Sequence, residues 1–473
     1  MTHAERHSGN GLAERRILVV MLVIVAACMT RLTGLAWRPL HHDEGVNYWF
    51  AQQIIDTGRY AYDPANYHGP TFFFALAGSF LVFGVSEFSL RLPAAVAGIA
   101  LVLTPLMFLR RQASWALSAA LLLLLSPSVA YFSRYAIHES LLAGLSLTAV
   151  LLLSVILDQQ AARYLPFLAA VLALLLATKE TAVIVVAALG VIGLAHRRRL
   201  AAALRQSGGR AMALVAVAVF VGVYAMFFTS FFTHPRGLVD SLLAFSPWIS
   251  RGFQGGGHTK PWPYYLGLIA RFEFPLLLFA TIGIRFAWRT VLGRGIALWT
   301  LTSLVAYSWL DYKTPWLIVN LTVPLALLAA VGYQGLADRP VKRLLLGAGA
   351  VFLLVMAVQF NVRQPWQNGN PYAYEHTDAD ALRLVAAVNA ARQPRAKVWV
   401  LSPEYWPLPF YLRRHDVGYP GAVEADQFAD FAAYDFVMLP DRSLRAWQPP
   451  PGFGVRRFRL RSGVALLLVS PQP

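Results

Sequence analysis

FFFALAGSFLVFGV, residues 72–85, is the stretch on which the fold turns. It is apolar almost throughout, yet a helix needs about 20 residues to cross the hydrocarbon core. A run this short predicts a juxtamembrane or re-entrant segment. Eleven other apolar segments surround it, near residues 17–37, 92–109, 115–131, 140–157, 164–178, 181–195, 211–228, 264–284, 296–310, 316–336 and 344–360. With 72–85 outside the membrane and the N-terminus inside, the inner connections are Arg110-Arg111, 158–163, 196–210, 285–294 and 338–343. These hold nearly all the Arg and Lys clusters, including Arg197-Arg198-Arg199. If 72–85 crossed, the same clusters would move outside, against the positive-inside rule. The expectation is an all-α polytopic protein of the cell (plasma or inner) membrane. It has about eleven transmembrane helices, juxtamembrane helices in a first outer loop at 38–91, and a cytoplasmic N-terminus at 1–16.

Composition agrees. Of 473 residues, 57% are hydrophobic and only 14% charged, where soluble chains carry about a quarter charged. The net charge of +17 sits in short clusters between apolar runs, which is a membrane pattern and excludes nucleic acid as the partner. The one cysteine, Cys28, allows no internal disulfide. Segment 17–37 has no small-residue cleavage site and reads as a retained anchor.

After 360 the pattern changes, so 17–360 is the membrane domain and 361–473 a small extracytoplasmic α/β domain. Residues 378–392 read as a helix, with Leu382, Val385 and Val388 on one face. Residues 398–401, 436–439 and 464–469 read as strands.

The polar clusters share the outer side. His41-His42-Asp43-Glu44 follows the first span and precedes an interfacial helix expected at 45–56. Adjacent carboxylates diverge on any regular backbone. Asp43 is therefore taken as the reactive acid and Glu44 as its support, with helix capping as the alternative for both. His68, Arg134, His138-Glu139, Lys179-Glu180, His258, Lys260 and Asp311-Tyr312-Lys313 are the other clusters. Intramembrane and boundary charges are costly and point to function. A mutual Lys179–Glu180 ion pair is the plain alternative at that position. Gly255-Gly256-Gly257 suits either a phosphate wrap or a lid. The ligand types at His41, His42, Asp43, His68, His138 and Glu139 would admit a divalent metal. No HExxH-type spacing is present, so no metal site is assigned.

His42-Asp43-Glu44, Tyr67-His68-Gly69-Pro70, residues 83–93, Ser133-Arg134-Tyr135 with His138-Glu139, and Thr178-Lys179-Glu180 together resemble the dolichyl-phosphate-mannose protein mannosyltransferase superfamily of C-type glycosyltransferases. Asp311 to Trp316 is similar to its flippase-activity-associated bacterial and archaeal branch. The resemblance spans about 17–360. It implies a lipid-phosphate sugar donor, Asp43 as the acid that activates the acceptor, and His138-Glu139 in the second acidic motif. The usual Lys before the Gly-Pro is His68 here.

The expected function is inverting sugar transfer from a polyprenyl-phosphate donor to a glycan, lipid or protein acceptor in cell-envelope assembly. Asp43 is the base. Arg134, Lys179, Lys313, His258, Lys260 and His68 are the phosphate candidates. A lipid-linked-sugar flippase, or a non-catalytic accessory protein, is the alternative. A transporter would carry charges at mid-membrane and internal repeats; here the charges gather at one boundary.

Overall fold

The computed structural model describes residues 3–66, 68–254, 257–337, 339–367, 369–391, 394–421, 430–445 and 447–472. Tyr67, Gly255, Gly256, Asp338 and Arg392, named above, lie outside them. The chain divides into two compact units, one of residues 1–35 with 54–364, the other of 36–53 with 365–473.

The first unit is helical. Among the described residues, five helices are long and apolar enough to cross a membrane: Glu87–Phe108, Glu139–Gln159, Gly209–Phe228, Pro315–Gly335 and Pro340–Arg363. The pair Tyr264–Phe272 and Phe274–Ala287, bent by 107°, is apolar enough to be a broken span or a re-entrant loop. Gly209–Phe228 leaves Leu214, Val217 and Val221 more than half exposed, a surface that only lipid or a partner would cover. The 72–85 stretch is the short helix Thr71–Phe83, closed at Gly84.

Two expected continuous segments are broken, and the sequence says why. The 264–284 run breaks at Glu273, where Pro275 lacks the N–H to extend the preceding helix. The 115–131 run breaks at Ser126, before Pro127. The two breaks meet: Glu273, fully buried, accepts from Ser126 Oγ at 2.6 Å and from Ser128 N at 3.1 Å. A carboxylate at the start of a helix is favoured by its dipole, so Glu273 caps Pro127–Phe132.

Arginines near the first span serve helix ends as well. Arg31, fully buried, donates to Leu123 O and Leu124 O, each at 3.2 Å. These are orphan carbonyls at the end of Leu109–Leu125.

In the second unit a five-stranded sheet runs in the order β2-β1-β3-β5-β4, with β1 Lys397–Val400, β2 Asp416–Gly418, β3 Phe436–Pro440, β4 Phe453–Arg461 and β5 Val464–Pro471. β1 is parallel to β2 and β3, and β5 is antiparallel to β3 and β4. Strand alternation sorts the core. Val398, Val400, Met438, Leu466 and Leu468 pack with Leu384, Val385 and Val388 of helix Ala379–Asn389. Val437, Leu439, Leu467 and Val469 pack on the other face with Phe431. The three expected strands are β1, β3 and β5; β2 and β4 were not anticipated. The helix ends at Asn389, capped at its start by Asp378.

The same unit includes the start of helix His42–Thr57. A Cβ on Gly45 would come within 2.7 Å of Pro407 Cβ, so only glycine lets this helix lie on the Trp406-Pro407 turn. Leu40 N donates to Tyr411 Oη at 2.8 Å. The outer-loop residues 38–53, expected within the membrane domain, thus group with the C-terminal sheet.

Candidate functional site

The helix begins at His42, earlier than the expected 45, and this places Asp43 and Glu44 in its first turn. Their environments differ. Glu44 is fully buried and its Oε2 accepts from His41 N at 2.9 Å, a side-chain cap on the helix start. The Asp43 side chain is 39% exposed. His41 Nδ1 accepts from Asp43 N at 3.1 Å, so the proton sits on Nε2, 2.9 Å from Tyr374 O. Nδ1 is then no donor to the Asp43 carboxylate 4.0 Å away. Asp43 is left as a part-exposed carboxylate with no side-chain hydrogen bond among the described residues.

His42 packs 6.3 Å from Trp406. Burial pushes its imidazole below the usual value, against the opposing charge of Asp43. His376, which the sequence did not mark, lies 5.8 Å from His41 and is held well below the usual range by burial, then by His41 and Arg38. It lines a cavity of about 460 Å³ with Trp366, Asp378 and Arg459. A second cavity of about 400 Å³, with Glu404, Asp441 and Arg461, shares Arg459 and Gly463 with the first.

In the first unit, two other clusters form. Gly69 brings the 68–70 loop against the turn between two short helices: a Cβ there would meet Ala177 O at 2.1 Å. Gly69 N donates to Thr178 O at 3.2 Å, and Thr71 N to Ala177 O at 3.0 Å. This contact sets His68 Nδ1 2.9 Å from Glu180 Oε2. Lys179 pairs instead with Glu139, both side chains nearly inaccessible. Lys179 and Glu180 therefore do not pair with each other; each reaches a different partner. Burial would lower Lys179, but Glu139 and then Glu180 outweigh it and hold the ammonium above its usual value. Burial would raise Glu180, but His68 and then Lys179 hold it below the usual carboxylate range.

His138 packs 4.9 Å from His68 and from Phe72, and 5.1 Å from Phe73. Its Nε2 has no hydrogen-bond partner among the described residues. Burial, then His68 and Lys179, keep this imidazole well below its usual value.

The other cluster joins two segments far apart in sequence. Thr259 and Tyr312 form an antiparallel bridge, and Lys313 N donates to His258 O at 3.1 Å. The His258 and Tyr312 rings meet edge to face at 5.1 Å, and Lys260 N lies 3.4 Å from Asp311 O. Lys313 is buried and its Nζ donates to Leu310 O. Tyr265, unmarked by the sequence, packs beside this cluster: its hydroxyl donates to Thr314 O at 3.0 Å and its ring meets Tyr307 at 6.5 Å.

Arg134 lies beside the end of the first helix. Its Nη2 donates to Thr33 O at 2.7 Å and Gly34 O at 3.0 Å, carbonyls just past the first helix. Among the described residues no group of three or more His, Cys, Asp or Glu is arranged to hold a metal.

A family model, dolichyl-phosphate-mannose-protein mannosyltransferase, matches residues 67–250. The fold is similar to ArnT from Cupriavidus metallidurans bound to undecaprenyl phosphate, with TM-score 0.71 and 17% identity over 95% of this chain and 97% of that one. The apo state of the same ArnT gives TM-score 0.66, 17% identity and the same coverage. The Pmt1-Pmt2 complex of S. cerevisiae bound to its sugar donor gives TM-score 0.38 at 22% identity, over 47% of this chain and 34% of that one. No curated protein sequence matches the chain. The chain is thus ArnT-like in fold along nearly its whole length and similar to the dolichyl-phosphate-mannose-protein mannosyltransferases over 67–250.

Proposed function

We propose that the chain transfers a sugar from a polyprenyl-phosphate carrier to an acceptor at the outer face of the cell membrane, with eleven helices crossing and the N-terminus inside. The observation that carries this reading is the family match over 67–250, a segment that contains the interlocked His68–Glu180 and Glu139–Lys179 pairs. The ArnT fold, in a protein bound to undecaprenyl phosphate, supports the same donor class here.

The chemistry assigns the roles. The acceptor oxygen attacks the anomeric carbon, its proton passes to Asp43, and the bond from that carbon to the phosphate oxygen breaks. The electron pair stays on the departing polyprenyl phosphate. One in-line displacement inverts the anomeric centre. A base for this step must present an ionised carboxylate to the acceptor, and Asp43 is part-exposed where Glu44 is buried. Developing charge on the phosphate needs preorganised donors. His68 is the nearest replacement for the family's lysine, with Glu180 accepting from Nδ1 and so orienting Nε2. Lys179 retains ammonium donors beyond its bond to Glu139. His258, Lys260 and Lys313 form a second group of cations on facing segments. Arg134, bonded to two backbone carbonyls, is the weakest phosphate candidate. The test is transfer of radiolabel from a polyprenyl-phosphate sugar by the purified chain. Loss of transfer in a folded Asp43→Asn variant supports the base; unchanged transfer removes Asp43 from the mechanism.

A further inference from the structure

We infer that the end of the helical unit opposite in sequence parity to the candidate site holds the phosphate of an anionic phospholipid. A cavity of about 640 Å³ is walled there by Phe108 and the start of helix Leu109–Leu125, the end of Glu139–Gln159, Arg199 of helix Arg197–Arg205, and the chain from Arg289 into helix Val291–Trp309. Arg111, Arg199 and Arg289 line it, and Asp158 is the acid among its lining residues, so its lining carries a net charge of about +2.

These arginines are weakly committed. Arg199 lies 3.8 Å from Asp158 with both side chains about half exposed or more, a geometry worth little in water. Arg111 reaches the neutral Gln159 amide, once that amide is turned to present its oxygen. Arg289 stacks over the Phe286 ring at 4.6 Å. One further observation points to an anion. Thr290 caps the helix Val291–Trp309 by accepting from Gly293 N at 2.9 Å, and Thr290, Val291 and Leu292 line the cavity. The first-turn N–H groups of Val291 and Leu292 have no acceptor within their own helix, and the helix dipole adds to them.

A lipid supplies this phosphate better than solution does. Met107 (68%) and Trp288 (48%) are exposed next to the cavity residues Phe108 and Arg289. That is the apolar-plus-Trp border of a headgroup layer. The positive-inside rule sets these basic turns at the anionic inner leaflet, where such pockets bind acidic headgroups.

The test uses the full chain in neutral detergent and native mass spectrometry, titrating phosphatidylglycerol against phosphatidylcholine. The expected result is retained phosphatidylglycerol, with 10-fold or greater preference on the order of two charge contacts. Arg111→Gln with Arg289→Gln should lower phosphatidylglycerol binding by about 25-fold, about fivefold per arginine. Asp158→Asn, which removes the acid, should raise it and keeps the test valid if the double variant misfolds. Millimolar inorganic phosphate should leave the lipid adduct in place. Equal retention of both lipids, an unchanged Asp158→Asn, or displacement by inorganic phosphate overturns the assignment to a phospholipid.

Discussion

The Glu139–Lys179 pair is the most exacting point in the helical unit. Both side chains are nearly inaccessible, at 1% and 6%. Removing one partner leaves the other charge buried with its main partner gone, which costs about 3–5 kcal/mol. Glu180 lies close enough to Lys179 to raise its pKa, so Glu139→Leu should sit at the low end, about 3 kcal/mol. Lys179→Met leaves Glu139 without its cation and should cost about as much. Replacing both, Glu139→Leu with Lys179→Met, removes two desolvation penalties and should cost about 1 kcal/mol or less. The coupling in the double-mutant cycle is then about 5 kcal/mol. Steric-trap unfolding in bicelles measures all three variants. Additive losses, with the double variant near 6 kcal/mol, would show that the two side chains act independently and would refute the pairing.

Gly69→Ala should cost about 1–3 kcal/mol in the same assay, because its methyl must displace Ala177 O from 2.1 Å; an unchanged stability would mean the 68–70 loop is not seated on that turn. Glu44→Gln should cost about 1–2 kcal/mol by weakening the cap on His41 N, whereas Asp43→Asn should stay within about 0.5 kcal/mol; equal losses in thermal unfolding would contradict their different burial. Glu180 has a depressed folded-state pKa, so its stabilisation is present above its unfolded value near about 4.3 and is lost as pH falls through the folded one. Unfolding free energy should therefore drop below about pH 4, and Glu180→Gln should flatten that slope; a slope unchanged by the substitution refutes the His68–Glu180 pair.

Much of the architecture was legible because apolar length and charge placement act locally. The run at 72–85 reads as a short apolar segment and is a 13-residue helix. The C-terminal strands β1, β3 and β5 are apolar runs, whereas β4 is written GVRRFRLR and its arginines hid the strand period. Glu273 escaped notice because a lone carboxylate in an apolar run resembles a loop edge; its partners, Ser126 and Ser128, are about 145 residues away. The site followed the same division. Which residues carry charge was plain, and the divergence of Asp43 and Glu44 followed from helix geometry. Which partner each charge meets was not, because Lys179 and Glu180 had an obvious neighbour in each other and took distant ones instead. His376 and Tyr374 joined His41 only through the fold of the second unit.

The central claim is sugar transfer from a polyprenyl-phosphate carrier with Asp43 as base. The direct measurement is a single-turnover assay of the full chain in lipid, with labelled polyprenyl-phosphate sugar and an extract of envelope acceptors. It follows both the label and the release of polyprenyl phosphate. The account predicts that label leaves the carrier with stoichiometric polyprenyl phosphate, and that Asp43→Asn, folded to the same unfolding free energy, does neither. Label that stays on the carrier with the native chain, or leaves it equally with Asp43→Asn, would contradict it.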